Sequence, residues 1–298
     1  MKLPVKNLGA GAGLHYSSPL LFVFVAAVLW STGGLFIKAT SLDAFELTFW
    51  RSLLAALTVI VFTRREGYGF NRVTMLAAVL YAALLLLFVL ATKLTTAANA
   101  IFLQYTAPVY VLLLEPVLYK ERFRLRDIVV IAACVLGMSL FFVGKLRPQD
   151  INGNIAALFS GACFACYFLL LRHPQARLVN KASSVIYGNL LLALVCAPAG
   201  LKAVHTMSQQ DVLIVLYLGI VQIGLAYTLF TTGMARGARS LDAGIVGYIE
   251  PVLNPLWVYI FLRERPSSWA LAGGSIIITA VICHTLYSAR KVMRERMA

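Results

Sequence analysis

The sequence predicts an all-α membrane protein: ten transmembrane helices arranged as two inverted five-helix repeats, with both termini cytoplasmic. Three observations carry that prediction. Of the 298 residues 60% are apolar and 13% charged, with mean hydropathy +0.83, whereas soluble domains run at about half apolar and about a quarter charged. Apolar runs of roughly 20 residues, enough to cross a bilayer, recur from Leu20 onward. One of those runs returns, without a gap, 143 residues later.

The ten runs are Leu20–Ile37, Phe45–Thr63, Val73–Thr92, Ala97–Tyr119, Ile128–Val143, Asn154–Leu171, Ser183–Ala199, Val212–Gly233, Ala243–Phe261 and Trp269–Tyr287, with short polar links that leave no room for a soluble domain. The expected divisions are a cytoplasmic segment 1–19, a first repeat 20–143, a connecting loop 144–153, a second repeat 154–287 and a basic cytoplasmic tail 288–298. Lysines precede the first run as in a secretory signal. That run extends into Trp30 and Lys38 with no small-x-small cleavage site, so it reads as a retained span.

The net charge of +14 invites a nucleic-acid reading, but the cations alternate by loop. With the N-terminus inside, eighteen Lys and Arg fall on the cytoplasmic side, among them Arg64, Arg65, Arg124, Arg126, Arg172, Arg177, Lys181, Arg236 and Arg239. Seven fall outside: Lys38, Lys93, Lys145, Arg147, Lys202, Arg263 and Arg265. Arg51 lies within a span. The positive-inside rule accounts for such a bias without a nucleic-acid partner.

The repeat is legible in "YTAPVYVLLLEPVLYKER" (Tyr105–Arg122) set beside "YIEPVLNPLWVYIFLRER" (Tyr248–Arg265). It pairs Tyr105 with Tyr248, Pro108 with Pro251, Val109 with Val252, Leu113 with Leu256 and Glu121 with Glu264. Equating the fourth span with the ninth gives five spans per half, so the second half enters the membrane upside down. Inverted repeats of this kind hold substrate near the midplane in secondary transporters.

These segments, with Leu29-Trp30 ahead of Lys38, "FWRSLLAAL" in the second span and "LGIVQIGLAYTLFTTGMA" in the eighth, resemble the drug/metabolite transporter superfamily, EamA type, over Leu20 to Tyr287. "VLWSTGG" (Val28–Gly34) is similar to the start of aromatic amino-acid exporters of the YddG type. The resemblance implies a ten-helix carrier and export of a small metabolite.

Polar residues at depth are the candidate site. Glu250, Asn254 and Trp257 recur at i, i+4 and i+7, one helical stripe. Glu250 lies about 10 Å deep at about 1.5 Å per residue, where an ionisable group normally faces a cavity or a partner. It could couple protons, capture a substrate ammonium, or stay a neutral acid bonded to a neighbouring helix. Its repeat mate is Ala107, so the symmetry requires no acid there. Trp30, Tyr81, Asn99, Gln104, Tyr105, Gln222, Tyr227 and Tyr248 suit a mostly apolar pocket with a few polar anchors. Pro108, Pro251 and Pro255 are candidate hinges, since a proline frees a backbone carbonyl that neighbours or water must satisfy. Arg51 is expected to pair with Glu46 or a helix end, and Glu115 to snorkel to the interface.

Enzyme signatures are missing: there is no phosphate loop, no H-E-x-x-H and no paired Asp-rich motif. The cysteines Cys134, Cys163, Cys166, Cys196 and Cys283 fall inside spans, and the CxxC of Cys163 and Cys166 has no second half at metal spacing. The expectation is a secondary transporter, not an enzyme. It moves a small organic metabolite, an amino acid with aromatic ones included, across the inner or plasma membrane by alternating access, in the export direction. The alternatives are a broad exporter of lipophilic cations with Glu250 as the cation site, and a non-transporting scaffold, which would need neither the repeat nor the stripe. Substrate and lipid are the expected partners, with no nucleic acid, cofactor or metal, and a monomer is expected.

Overall fold

The computed structural model describes residues 19–120, 124–140, 143, 151–262 and 268–297. Among them all regular structure is helical, in the order α1 (Pro19–Trp30), α2 (Gly33–Ala39), α3 (Ala44–Thr63), α4 (Arg72–Leu94), α5 (Ala97–Gln104), α6 (Ala107–Tyr119) and α7 (Leu125–Leu140), then α8 (Ile151–Arg172), α9 (Ser183–Ala203), α10 (Gln209–Leu216), a π-helical segment (Tyr217–Leu225), α11 (Ala226–Ala235), α12 (Ser240–Gly247), α13 (Ile249–Leu262) and α14 (Ser268–Met297). The expected cytoplasmic segment 1–19 (all but its last residue), most of the connecting loop 144–153, and the Glu121-Arg122 and Glu264-Arg265 ends of the repeat lie outside the described residues.

Among the described residues eight helical stretches are long and apolar enough to cross a membrane; α7 and α14 hold the other two expected spans. The described part of α7 has 16 residues, Leu125–Leu140. In α14 the apolar part is limited to Leu271–Tyr287, and the helix then runs on through the basic residues of the tail.

Three of the eight are broken. The break between α5 and α6 falls at Tyr105-Thr106, and that between α12 and α13 at Tyr248. The prolines explain both positions. Pro108 and Pro251 carry no N–H for the carbonyl four residues back, which is Gln104 in one helix and Gly247 in the other. Those residues end α5 and α12. Pro255 sits inside α13, which continues past it to Leu262, so it marks no comparable break. The third break, Ser31-Thr32, divides α1 from α2 without a proline.

Helices meet through small residues, as expected where lipid offers no hydrophobic drive for association. Ala26, Ala27, Ala55, Ala56, Ala77 and Ala78 are buried, while Leu57, Val61, Phe62, Val117, Leu136 and Leu194 are exposed on what becomes the lipid face. Helix α3 packs on α9, α7 on α14, and α6 on α12. Helix α4 lies along α8 and α9, much as α11 lies along α1 and the π segment along α3.

Charged residues that the loop pattern assigns to one membrane face come together at one end. Arg172 pairs with Glu115, Lys181 with Glu66, and Arg239 reaches both Glu115 at 3.1 Å and Asp127 at 2.9 Å. Glu115 is 1% exposed. It therefore does not snorkel: Arg172 and Arg239 reach it from α8 and from the start of α12. At the opposite end Asp211 accepts from Thr40 Oγ1 at 2.6 Å, Ser41 N at 2.9 Å and Ser41 Oγ at 2.8 Å. Lys38 Nζ donates to the Thr95 carbonyl at 2.7 Å, and Lys93 Nζ to that of Thr40 at 3.1 Å, so each lysine caps the C-terminal end of the other's helix.

Candidate functional site

The broken helices leave a small cavity at the centre. Its lining comes from both halves: Trp30, Arg51, Leu84, Leu85, Phe88 and Gln104 from the first, Phe164, Gln222, Ile223, Tyr227 and Glu250 from the second. About 20 Å³ is left for a water-sized body, on the order of one water and far below an organic metabolite.

Aromatic rings form most of the wall. Trp30 contacts Tyr227 at 4.6 Å, Phe230 at 5.2 Å and Phe164 at 5.8 Å between centroids. Tyr81 stands edge-on to Tyr227 at 4.7 Å, and its hydroxyl accepts from Asn189 Nδ2 at 2.9 Å. Tyr81 thus supports the wall from behind rather than lining the cavity.

The polar groups arrive by identifiable local geometry. Glu250 opens α13 just beyond the Tyr248 break, is 4% exposed, and accepts a hydrogen bond from Tyr105 Oη at 2.7 Å. Tyr105 occupies the other break and packs against Tyr248 with the rings tilted, centroids 5.6 Å apart. The Tyr248 hydroxyl has no partner. Gln222 comes from the π segment, a geometry that recurs at functional sites, and reaches the Trp30 carbonyl at 3.5 Å, at the α1–α2 break. Its Oε1 and the Trp30 Nε1 have no partner. A Cβ on Gly33 would stand 2.5 Å from Gln222 Nε2, so the absence of a side chain there admits the amide. Gln104 donates to Ser160 Oγ at 2.7 Å, which passes the bond to the Leu84 carbonyl at 2.8 Å.

The stripe on α13 faces α1 and α2. Trp257 Nε1 donates to Ser31 Oγ at 2.7 Å, and Asn254 Nδ2, without a partner, is held against Gly34. Glu250 alone of the three lines the cavity. Asn99 is spent on its own turn, donating to Thr95 Oγ1 at 3.1 Å. Pro108 packs against Gly244 across the α6–α12 contact, Pro251 is buried, and the side chain of Pro255 lies outside the described ones. Of the expected cavity residues, Trp30, Gln104, Gln222, Tyr227 and Glu250 meet at the centre. Tyr81, Tyr105, Tyr248, Asn254 and Trp257 stand one layer back, and Asn99 is apart.

Arg51 is the lining residue that the sequence did not single out for the site. The expected pairing with Glu46 does not form, because Glu46 Oε2 accepts from Asp43 N at 2.9 Å to complete the capping box of α3. A spacing of five residues points the two side chains apart on a helix. Phe164 was also missed; an apolar ring in an apolar helix carries no local signal. Cys163 and Cys166 are free thiols, and no cluster of metal-ligating residues occurs among the described residues.

Comparison with known proteins agrees with this architecture. The sequence profile of the EamA-like transporter family matches residues 17–143 and again 151–286. The threonine/homoserine exporter RhtA of Escherichia coli (strain K12) is 27% identical over 280 residues, 90% of this chain and 91% of the relative. The pseudopaline exporter CntI of Pseudomonas aeruginosa (strain UCBPP-PA14) is 24% identical over 276 residues, 89% of this chain and 95% of the relative. An uncharacterized transporter of Archaeoglobus fulgidus is 27% identical over 264 residues, 87% and 93%. A solved crystal structure superposes with a TM-score of 0.74 at 22% identity, covering 90% of this chain and 97% of that one, which speaks to the fold. The chain is an integral membrane protein of the EamA-like transporter family, within the drug/metabolite transporter superfamily.

Proposed function

We propose that this transporter exports a small amino acid, aromatic ones included, from the cytoplasm across the inner membrane by alternating access. In this reading ten helices form two inverted five-helix repeats with both termini inside, and the protein works as a monomer. The observation that carries the reading is the central cavity, to which both halves contribute aromatic walls and one acid, Glu250. A substrate site at the junction of two repeats is the arrangement alternating access requires. The size of the cavity supports a cycle as well, because a metabolite enters only after the halves part.

Export of lipophilic cations is the less favoured reading, since Arg51 lines the same cavity as Glu250 and would repel a bare cation. A group with both signs of charge suits the site better. Similarity to exporters of threonine and homoserine and of pseudopaline points the same way. The test is uptake of a labelled metabolite panel into proteoliposomes, with and without a pH gradient. Movement of amino acids, enhanced by the gradient, is expected; movement of lipophilic amines alone would replace this reading with the cation one.

A further inference from the structure

We propose that the central cavity contains a carboxylate-binding subsite built on Arg51. The proposal deepens the transport reading and rests on it in taking the cavity as the substrate's. The guanidinium is 1% exposed and sits midway along α3. Its Nη2 has one long contact, 3.5 Å, to the Leu85 carbonyl, and among the described residues its Nε and Nη1 have no partner.

An arginine stays charged under all ordinary conditions, and a buried charge without a counter-ion is costly. No acid forms an ion pair with it among the described residues, and the three nearby in sequence or cavity have other partners. Glu46 closes the cap of α3, Asp211 holds Thr40 and Ser41, and Glu250 takes the Tyr105 hydroxyl with no ion pair to Arg51 among the described residues. The missing negative charge therefore comes from the molecule that occupies the cavity.

The chemistry selects a carboxylate. The planar fork of a guanidinium matches a carboxylate with two parallel hydrogen bonds. A phosphate ester would bring nearly two charges, and Arg51 is the single cation lining the cavity. Trp30, Phe164 and Tyr227 then offer ring faces to the carbon part of the same molecule, and Glu250 accepts an ammonium where there is one.

Binding to the purified full-length protein in detergent, by titration calorimetry, tests this with three probes: 3-phenylpropionate, which has the carboxylate alone; phenethylamine, which has the ammonium alone; and L-phenylalanine, which has both. The parent protein is expected to bind 3-phenylpropionate, and Arg51→Met to weaken it about tenfold or more while phenethylamine, relieved of a like charge, binds at least as well as before. Arg51→Lys restores part of the loss, because it returns the charge without the fork. Arg51→Met binding 3-phenylpropionate as the parent does, losing all three probes equally, or a parent that binds no carboxylate would each overturn the subsite. Should Arg51→Met fail to fold, Arg51→Lys decides, since parental affinity for 3-phenylpropionate in that variant removes the fork. Carboxylate binding by a parent that moves no amino acid in proteoliposomes would leave the subsite standing and remove the amino-acid reading.

Discussion

Tyr105 donates a 2.7 Å hydrogen bond to Glu250 across the junction of the two halves, while Tyr248, its counterpart 143 residues on, has a hydroxyl with no partner. The asymmetry follows from one position: the counterpart of Glu250 is Ala107. A buried hydroxyl left unbonded costs about 1–3 kcal/mol, so two halves that exchanged shapes would not reach states of equal energy. In the proposed cycle the bond would weight the equilibrium toward the conformation that contains it.

Glu250→Gln keeps the shape of the side chain but cannot ionise. If Glu250 exchanges protons with water as the cavity opens, the variant loses gradient-driven transport and keeps passive exchange. If it holds a substrate ammonium instead, both fall by roughly tenfold or more, the worth of a charged hydrogen bond. Gradient-driven flux equal to the parent's, measured in proteoliposomes, would remove the residue from the mechanism.

Tyr105→Phe removes the one donor that the structure gives to Glu250. The expected loss is about 1–3 kcal/mol of stability, read as a lower melting temperature in detergent. Tyr248→Phe removes a hydroxyl with nothing to lose, and its melting temperature should stay at or above the parent's. Equal destabilisation by the two would contradict the asymmetry.

Restoring the missing backbone hydrogen bonds should straighten the broken helices. Pro108→Ala and Pro251→Ala are expected to leave expression and monodispersity near the parent's and to slow transport several-fold. Parental rates in both variants would show that the breaks are not used as hinges.

The buried charge network and the peripheral ion pair should behave differently. Glu115→Gln leaves Arg239 and Arg172 without a buried acid that both engage, and breaking a buried pair costs roughly 3–5 kcal/mol. Lys181→Ala breaks a largely solvent-facing pair with Glu66 and should cost about 1 kcal/mol or less. Thermal melts of the two variants compare them directly; similar shifts would mean that the network carries little.

Orientation can be read by chemical labelling. In a cysteine-free background, cysteine at Lys202 should react with an impermeant thiol reagent added outside whole cells, and cysteine at Arg124 should not. The reverse pattern would overturn both the orientation and the inverted arrangement of the halves.

Most of the helices and the two proline breaks were legible in the sequence, because lipid contact writes composition and proline chemistry is local. The polar centre was legible in part. Glu250 stood out by depth and by its stripe, and Trp30, Gln104, Gln222 and Tyr227 by being amphipathic in apolar surroundings. Arg51 was expected to pair with Glu46 or a helix end, and the spacing of five already argued against a shared face with Glu46. Glu115 was misplaced because its partners Arg172 and Arg239 are 57 and 124 residues away, distances that no local pattern spans. The π segment that presents Gln222 has no composition of its own and became visible only in the folded chain.

The ring contact between Tyr105 and Tyr248 joins two counterparts, so in the proposed inverted arrangement it would lie on the axis that relates the halves. When the halves exchange shapes, the packing of α1 on α11 turns into that of α8 on α4, and the reverse. The tyrosine pair turns into itself. In the proposed cycle it would serve as a fulcrum, the point about which the rest swaps sides. A covalent clamp across it should leave the carrier turning over, whereas the same clamp between α1 and α11 should hold it in one state.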